Sequence, residues 1–202
     1  MTRPQILQPG ESYTFSKYFE LTFDPEDILA ELGCTLEKAP LSLVKHLGEL
    51  SDADLKQRIE QNLTYVDLTS EAARREVLIA PVLLEVCRYT NARLKIEYPI
   101  VVNNLLKGSV DYYLLATHNL LVVEAKNADL ARGFTQLAVE LIALDQWITS
   151  DAAVLHGAVT AGDVWKFGTL NRQERRIVQD INLYRVPADL DELLRIIVGI
   201  LS

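Results

Sequence analysis

The chain has 202 residues, of which 49% are hydrophobic and 24% charged, and it carries a formal net charge of −8. This length allows one domain with a real hydrophobic core, with or without a modest accessory layer. An acidic chain has no general electrostatic attraction for nucleic acid, because non-specific affinity comes from Lys and Arg that neutralise phosphates. The charge therefore disfavours a free-standing, tight nucleic-acid binder. It leaves open an enzyme whose metal-binding carboxylates themselves contribute negative charge.

The sequence shows no signal for export or for a membrane. No apolar run reaches the length needed to span a bilayer, and the first residues, MTRPQILQPGES, lack the basic and apolar regions of a signal peptide. Cys34 and Cys87 form no metal or redox motif, so each is expected to be a reduced core residue. These features predict a cytoplasmic protein without a membrane contact.

Residues 1–68 are predicted to form an accessory segment of strand and helices that packs on the rest of the chain. Within it, residues 12–23 (SYTFSKYFELTF) alternate aromatic with polar residues and predict an early strand. The Asp-Pro pair at 24–25 predicts the start of a helix that Gly33 ends. A second, largely polar helix is predicted over 51–63.

Residues 69–202 predict the main α/β core. Ser70 caps a long helix, in which Pro81 predicts a kink or a break. The following strand, over 93–102, contains Pro99, which favours a sheet edge or a bulge. The remaining predicted elements are strands over 109–116 and 120–126 that form a hairpin around Thr117-His118-Asn119, a helix over 129–149, strands over 153–160, 164–169 and 177–186, and a helix over 189–201. This order, α-β-β-β-α-β followed by a β-hairpin and a helix, predicts a mixed sheet flanked by helices.

Three charged residues, Asp111, Glu124 and Lys126, lie in two strands that otherwise have the composition of a core. Burying an unpaired charge is costly, so such residues indicate a use. Side chains alternate faces along a strand, so Glu124 and Lys126 point the same way, and Asp111 joins them if the hairpin register suits. The two carboxylates could bind a hard divalent cation such as Mg²⁺. Lys126 could then orient or help deprotonate a water at that cation, or offset charge on a phosphate.

Simpler interpretations of the same three residues stay open. Solvated strand ends, or a lysine that neutralises two carboxylates inside an unrelated α/β protein, would give the same spacing. Apolar neighbours on both strands, and a polar helix start directly after Lys126, favour the metal site.

These residues resemble the PD-(D/E)XK nuclease superfamily, whose core also has the order α-β-β-β-α-β. The matching motif is Asp111, the 12 residues after it and Glu124-Ala125-Lys126, with Val110-Asp111 in place of the family's Pro-Asp pair. The stretches EAARREVLIAPVLLEV and ADLARGFTQLAVEL are similar to helices of the N-terminal nuclease domains of type I restriction enzyme subunits. The similarity covers about residues 70–170. It implies a restriction-endonuclease-like core with an N-terminal α+β extension.

The resemblance also implies roles for the motif residues. Asp111 and Glu124 would bind Mg²⁺ or Mn²⁺, and the Ala125 carbonyl would be a third ligand. Lys126 would be the catalytic lysine. Gln136 matches a helix glutamine that supports the lysine or contacts nucleic acid in relatives, although a polar residue on the shoulder of a helix is an equal alternative.

The leading helix of the family often contributes an acidic residue to the site. Glu76 is the candidate here, since it follows the double arginine, and Glu71 is its rival. Both also fit a solvated carboxylate or a first-turn partner of the helix dipole.

Two functions follow from the resemblance. The first is a Mg²⁺-dependent nuclease that cleaves nucleic acid, with DNA as the expected substrate. The alternative is a nuclease fold without cleavage that acts as an interaction or regulatory module, which the acidic charge favours. Many nucleases of this type act as homodimers or inside larger assemblies, so either state is open for this chain.

Overall fold

The computed structural model describes residues 5–116, 119–126 and 129–202. The described helices are α1 Phe15–Glu20, α2 Pro25–Glu31, α3 Ala53–Asn62, α4 Glu71–Arg74, α5 Ala80–Thr90, α6 Leu130–Trp147 and α7 Leu190–Leu201. The described strands are β1 Thr35–Ala39, β2 Arg93–Val101, β3 Lys107–Leu115, β4 Leu120–Ala125, β5 Val154–Thr160, β6 Val164–Asn171, β7 Arg176–Asp180 and β8 Tyr184–Arg185. Thr117 and His118, part of the predicted hairpin turn, lie outside the described residues.

The strands form one mixed sheet in the order β1-β7-β6-β5-β4-β3-β2, and β8 pairs with β6. Strands β2, β3 and β4 are successive antiparallel neighbours. Helix α6 then connects β4 to β5, which lies parallel to it. Strand β1 lies parallel to β7 at the opposite edge of the sheet. The predicted class, a mixed α/β sheet flanked by helices, is confirmed.

Each face of the sheet has its own buried core. Helices α1, α2 and α6 cover one face, where Phe15, Tyr18 and Phe134 are among the fully buried side chains. Helices α3, α5 and α7 cover the other face, together with the fully buried Trp165 and Phe167. None of the helices in the described parts of the chain combines the length and apolar character needed to cross a membrane.

The predicted strand over 12–23 is wrong, because Phe15–Glu20 is helical. Phe15 and Tyr18 are three residues apart, which places both on one side of a helix. Both side chains are buried in the same core as α6, and the Tyr18 hydroxyl donates to the Leu105 carbonyl at 2.8 Å. The spacing of the aromatic residues therefore matches a short helix that packs on the core, and not a strand whose side chains alternate between two faces.

The long helix predicted after Ser70 exists, and its irregularity has a specific form. The Ser70 hydroxyl accepts a hydrogen bond from the Ala73 amide at 3.1 Å, which confirms the cap. A π-helical turn over Arg75–Ile79 then joins α4 to α5, with Pro81 in the first turn of α5. Proline lacks an amide hydrogen and clashes with the carbonyl four residues earlier, so a wider turn before it lets the helix continue.

Other boundaries follow the predictions with local corrections. Strand β2 pairs with β3 alone among the described strands, which confirms the edge position that Pro99 favoured. The predicted strand over 177–186 is interrupted, because the Asp180 carboxylate accepts from the Asn182 amide at 3.0 Å and turns the chain there. Strand β1 was not predicted. It extends the main sheet, so the segment 1–68 contributes a strand as well as helices to the core.

Candidate active site

The candidate site lies where β4 ends between β3 and β5. The last antiparallel pair of β3 and β4 at this end is Tyr112 with Val123. One step further, the Ala125 amide donates to the Asp111 carboxylate at 2.8 Å instead of to a backbone carbonyl. On the other side, β4 stays paired with β5, and the Lys126 amide donates to the Thr160 carbonyl at 2.8 Å. The end of β4 is therefore fixed by one backbone partner and one carboxylate.

Glu124 is fully buried at this end of the strand. Its Oε1 atom lies 2.6 Å from the Lys126 ammonium and accepts from the Gln136 amide nitrogen at 2.6 Å. Its Oε2 atom is buried without a hydrogen-bond partner. Burial first, and then the negative charge of Asp111, raise the pKa of Glu124 to about 7, against the lowering effect of Lys126.

Lys126 is mostly buried, and its ammonium lies 5.0 Å from the centre of the Phe19 ring. Burial acts to lower the pKa of Lys126, but the charge and hydrogen bond of Glu124 outweigh it and raise the pKa above its usual value. Gly133 of α6 allows this close packing. A Cβ atom there would lie 2.9 Å from the Lys126 Cγ and 2.8 Å from the Val159 Cγ2.

Gln136 connects Glu124 to a second buried carboxyl group. Its amide nitrogen donates to Glu124 Oε1 and, at 2.9 Å, to Glu140 Oε1. Glu140 is fully buried. Burial first, then the charge of Glu124 and a hydrogen bond between the two carboxyl groups, raise the pKa of Glu140 well above its usual value. The Oε2 atom of Glu140 and the Oε1 atom of Gln136 are, like Glu124 Oε2, buried without a partner. Apart from a carboxyl proton between Glu140 and Glu124, the cluster therefore has more acceptors than donors.

Glu140 was missed from the sequence, although a signal exists. It is the one charged residue in the stretch LAVELIAL over 137–144, whose other members are apolar and buried. A carboxyl group in such a buried apolar stretch needs a partner or a function. It follows Gln136 by four residues, which places the two side chains on one face of the helix.

Arg75 was also missed, and it is the cation beside Asp111. Its guanidinium lies 3.7 Å from the Asp111 carboxylate and 3.4 Å from that of Glu97. Its Nε donates to the Tyr112 hydroxyl at 3.2 Å. Arg75 belongs to the π-helical turn before α5, so the irregular part of that helix supplies this side chain.

The two acidic candidates on the leading helix occupy different places. Glu76 is exposed, and its charge acts on the Tyr112 hydroxyl. Glu71 is partly buried, and its charge acts on Lys126. Glu71 is therefore the helix carboxylate whose charge reaches the proposed catalytic lysine.

The structure brings Asp111, Glu124, Lys126 and Gln136 together. Among the described residues, no group of three or more His, Cys, Asp or Glu side chains is arranged to hold a metal ion. The oxygen atoms available at the end of β4 are instead those of two carboxylates and one backbone carbonyl. A hard cation bound by so few protein ligands keeps water molecules as its remaining ligands. Comparisons with protein-family models, curated proteins and solved structures each returned no match. The functional assignment therefore depends on the geometry of this site.

Proposed function

We propose that the chain is a metal-dependent nuclease that hydrolyses phosphodiester bonds in nucleic acid, with DNA as its substrate. One observation carries the proposal: a fully buried glutamate at the end of a central strand is held by a lysine and a glutamine, with one carboxylate oxygen left free. Asp111 acts on the same carboxylate from the neighbouring strand. Buried titratable groups that perturb one another's pKa values are typical of catalytic sites.

The order of elements supports a restriction-endonuclease-like core. The helix over 71–90, strands β2, β3 and β4, helix α6 and strand β5 follow one another as α-β-β-β-α-β. The parallel pairing of β4 with β5 across α6 agrees with that arrangement. In this proposal residues 1–68 form its N-terminal extension.

The donor atoms present fit Mg²⁺ or Mn²⁺. Glu124 Oε2 lacks a partner, and the Asp111 side chain is 19% exposed at the same strand end. Hard cations take carboxylate and carbonyl oxygens and keep several waters. Asp111, Glu124 and the Ala125 carbonyl would hold the ion. When bound, it would supply Lewis-acid stabilisation of the charge that develops on the phosphate.

Lys126 would act as a cation and hydrogen-bond donor. Its raised pKa keeps the ammonium protonated at neutral pH in the free chain, so it is suited to bind a phosphate oxygen or to orient the attacking water. Gln136 is nearly fully buried and its amide nitrogen is shared by two carboxylates. It is therefore a positioning residue for Glu124 rather than a contact to nucleic acid.

The second candidate function is a nuclease fold that binds partners without cleaving. The net charge of −8 and the ion pair of 2.6 Å between Lys126 and Glu124 favour it, because a lysine already paired inside the site is not free for a phosphate. Cleavage requires that this pair open when substrate and metal bind.

A cleavage assay separates the two functions. Purified chain is incubated with plasmid DNA and Mg²⁺ or Mn²⁺, next to Glu124→Ala, Lys126→Ala and the control Lys38→Ala, which changes an exposed lysine on β1. We expect nicking or linearisation by the wild type and the control, and none by the two site variants. If the wild type cuts neither DNA nor RNA, the nuclease proposal fails. Calorimetric titration with Mn²⁺ then shows whether a metal site that depends on Asp111 exists.

A further inference from the structure

The amide of Gln136 lies between two buried carboxyl groups. Its nitrogen carries two hydrogens, and it donates to Glu124 Oε1 at 2.6 Å and to Glu140 Oε1 at 2.9 Å. With both hydrogens used, the amide cannot rotate without leaving a buried carboxyl oxygen without its donor. Glu140 therefore fixes the orientation of the group that holds Glu124.

We infer that Glu140 is a positioning residue of the proposed metal centre: through Gln136, it holds Glu124 so that Oε2 stays free. This inference rests on the proposed function. It adds a buried residue on α6, one helical turn beyond Gln136, to the groups that determine metal affinity. Partners of metal-binding carboxylates commonly set ligand orientation in this way.

The fold itself gives no reason for a carboxyl group at this position. The neighbours of Glu140 on α6 are apolar and buried, and a leucine has a similar volume. Burying a carboxyl group is costly, and an apolar side chain would fill the same space without that cost. Glu140 also keeps one oxygen without a partner. A purely structural position would be expected to avoid that.

Two substitutions separate positioning from packing and from ionisation. Glu140→Leu removes the acceptor of the Gln136 hydrogen bond, whereas Glu140→Gln removes the ionisable group and keeps an oxygen acceptor. Each variant is titrated with MnCl₂ by calorimetry and unfolded thermally in EDTA. The control is Asp145→Asn, which removes a carboxylate from the far end of α6, where its partners are Arg172 and Arg175.

We expect the Kd for Mn²⁺ to rise at least about tenfold in Glu140→Leu, the size typical for loss of such a partner. The Kd should stay within about threefold of wild type in Glu140→Gln and in the control. Glu140→Leu should still unfold cooperatively in EDTA, because removal of a buried carboxyl group offsets part of the cost of the unpaired Gln136 amide hydrogen. Weaker metal binding in a protein that still unfolds cooperatively is what a packing role would not produce.

Three results would overturn the inference while leaving the proposed function intact. The first is wild-type Mn²⁺ affinity in Glu140→Leu. The second is an equal loss of affinity in both variants, which would assign the effect to the ionisable carboxyl group. The third is loss of cooperative unfolding in Glu140→Leu, which would assign Glu140 to the core. In each case the wild type still binds Mn²⁺ and Asp111→Asn still weakens binding. If the wild type itself binds no Mn²⁺, the metal centre and the inference are both wrong.

Discussion

Replacing Glu124 by glutamine should remove a pH dependence from the stability of the metal-free protein. The pKa of Glu124 lies at about 7 in the folded chain, compared with 4.5 for an ordinary glutamate, chiefly because the group is buried. Between these two values the folded chain binds more protons than the unfolded chain, so the free energy of unfolding falls as pH rises. This contribution to stability is fully present below pH 4.5 and lost above about pH 7.

The size of the effect follows from the same two pKa values. One pKa unit corresponds to about 1.4 kcal/mol, so the full loss is on the order of 3 kcal/mol. Of this, about 2 kcal/mol falls between pH 5.5 and pH 8.5, a range above the sequence pI of about 4.9. Glutamine has the shape of glutamate but does not ionise. Its stability relative to wild type should therefore increase by about 2 kcal/mol over this range.

Urea unfolding in EDTA at pH 5.5, 7 and 8.5 measures this difference, with the fluorescence of the two tryptophans as the signal. Glu60→Gln, which changes an exposed carboxylate on α3, is the charge-matched control. The difference between Glu124→Gln and wild type should grow with pH, and the control should run parallel to wild type. If the free energy of unfolding changes with pH in the same way in all three proteins, Glu124 does not have a pKa raised by burial.

Two further predictions concern the proposed activity, and a third concerns the packing around Lys126. Mn²⁺ should bind about tenfold more tightly at pH 8 than at pH 6, because the metal competes with the proton on Glu124. Calorimetry in buffers of different ionisation enthalpy should detect the release of that proton at pH 6. Lys126→Met should keep Mn²⁺ affinity within a few-fold but lower single-turnover DNA cleavage at least about 100-fold; more than a tenth of wild-type cleavage would contradict its role. Gly133→Ala should lower the free energy of unfolding by about 1–3 kcal/mol, measured in urea, because its Cβ would meet Val159 and Lys126; unchanged stability would contradict that close contact.

Strong local signals made most of the core predictable from the sequence. Ser70 caps the leading helix and Asp129 caps α6, each through a hydrogen bond to an amide three residues later. The apolar runs in β3 to β5 mark strands that the sheet buries. Nonlocal pairing explains what was missed: β1 (TLEKA) is polar and short, and it becomes a strand only by pairing with β7, far along the chain.

Only the part of the site that lies on a single strand was predictable, because it depends on the alternation of side chains along that strand. Glu124 and Lys126 are two residues apart on one strand, so their common face follows from alternation alone. Asp111 required the correct hairpin register, which the sequence did not determine. Arg75 and Glu140 come from helices on opposite faces of the sheet, and their approach to the site depends on how α5 and α6 pack. Local patterns contain no information on that packing.

In the proposed nuclease, the charges at the end of β4 would let Lys126 change partners between the free and the metal-bound site. In the free site, Lys126 lies against Glu124 and Arg75 lies against Asp111. A divalent cation shared by the two carboxylates would add positive charge next to Lys126. The Lys126 ammonium would then be free to donate to an anionic phosphate oxygen of the substrate. Lys126 would thus pair with Glu124 in the free site and with the substrate phosphate in the metal-bound site.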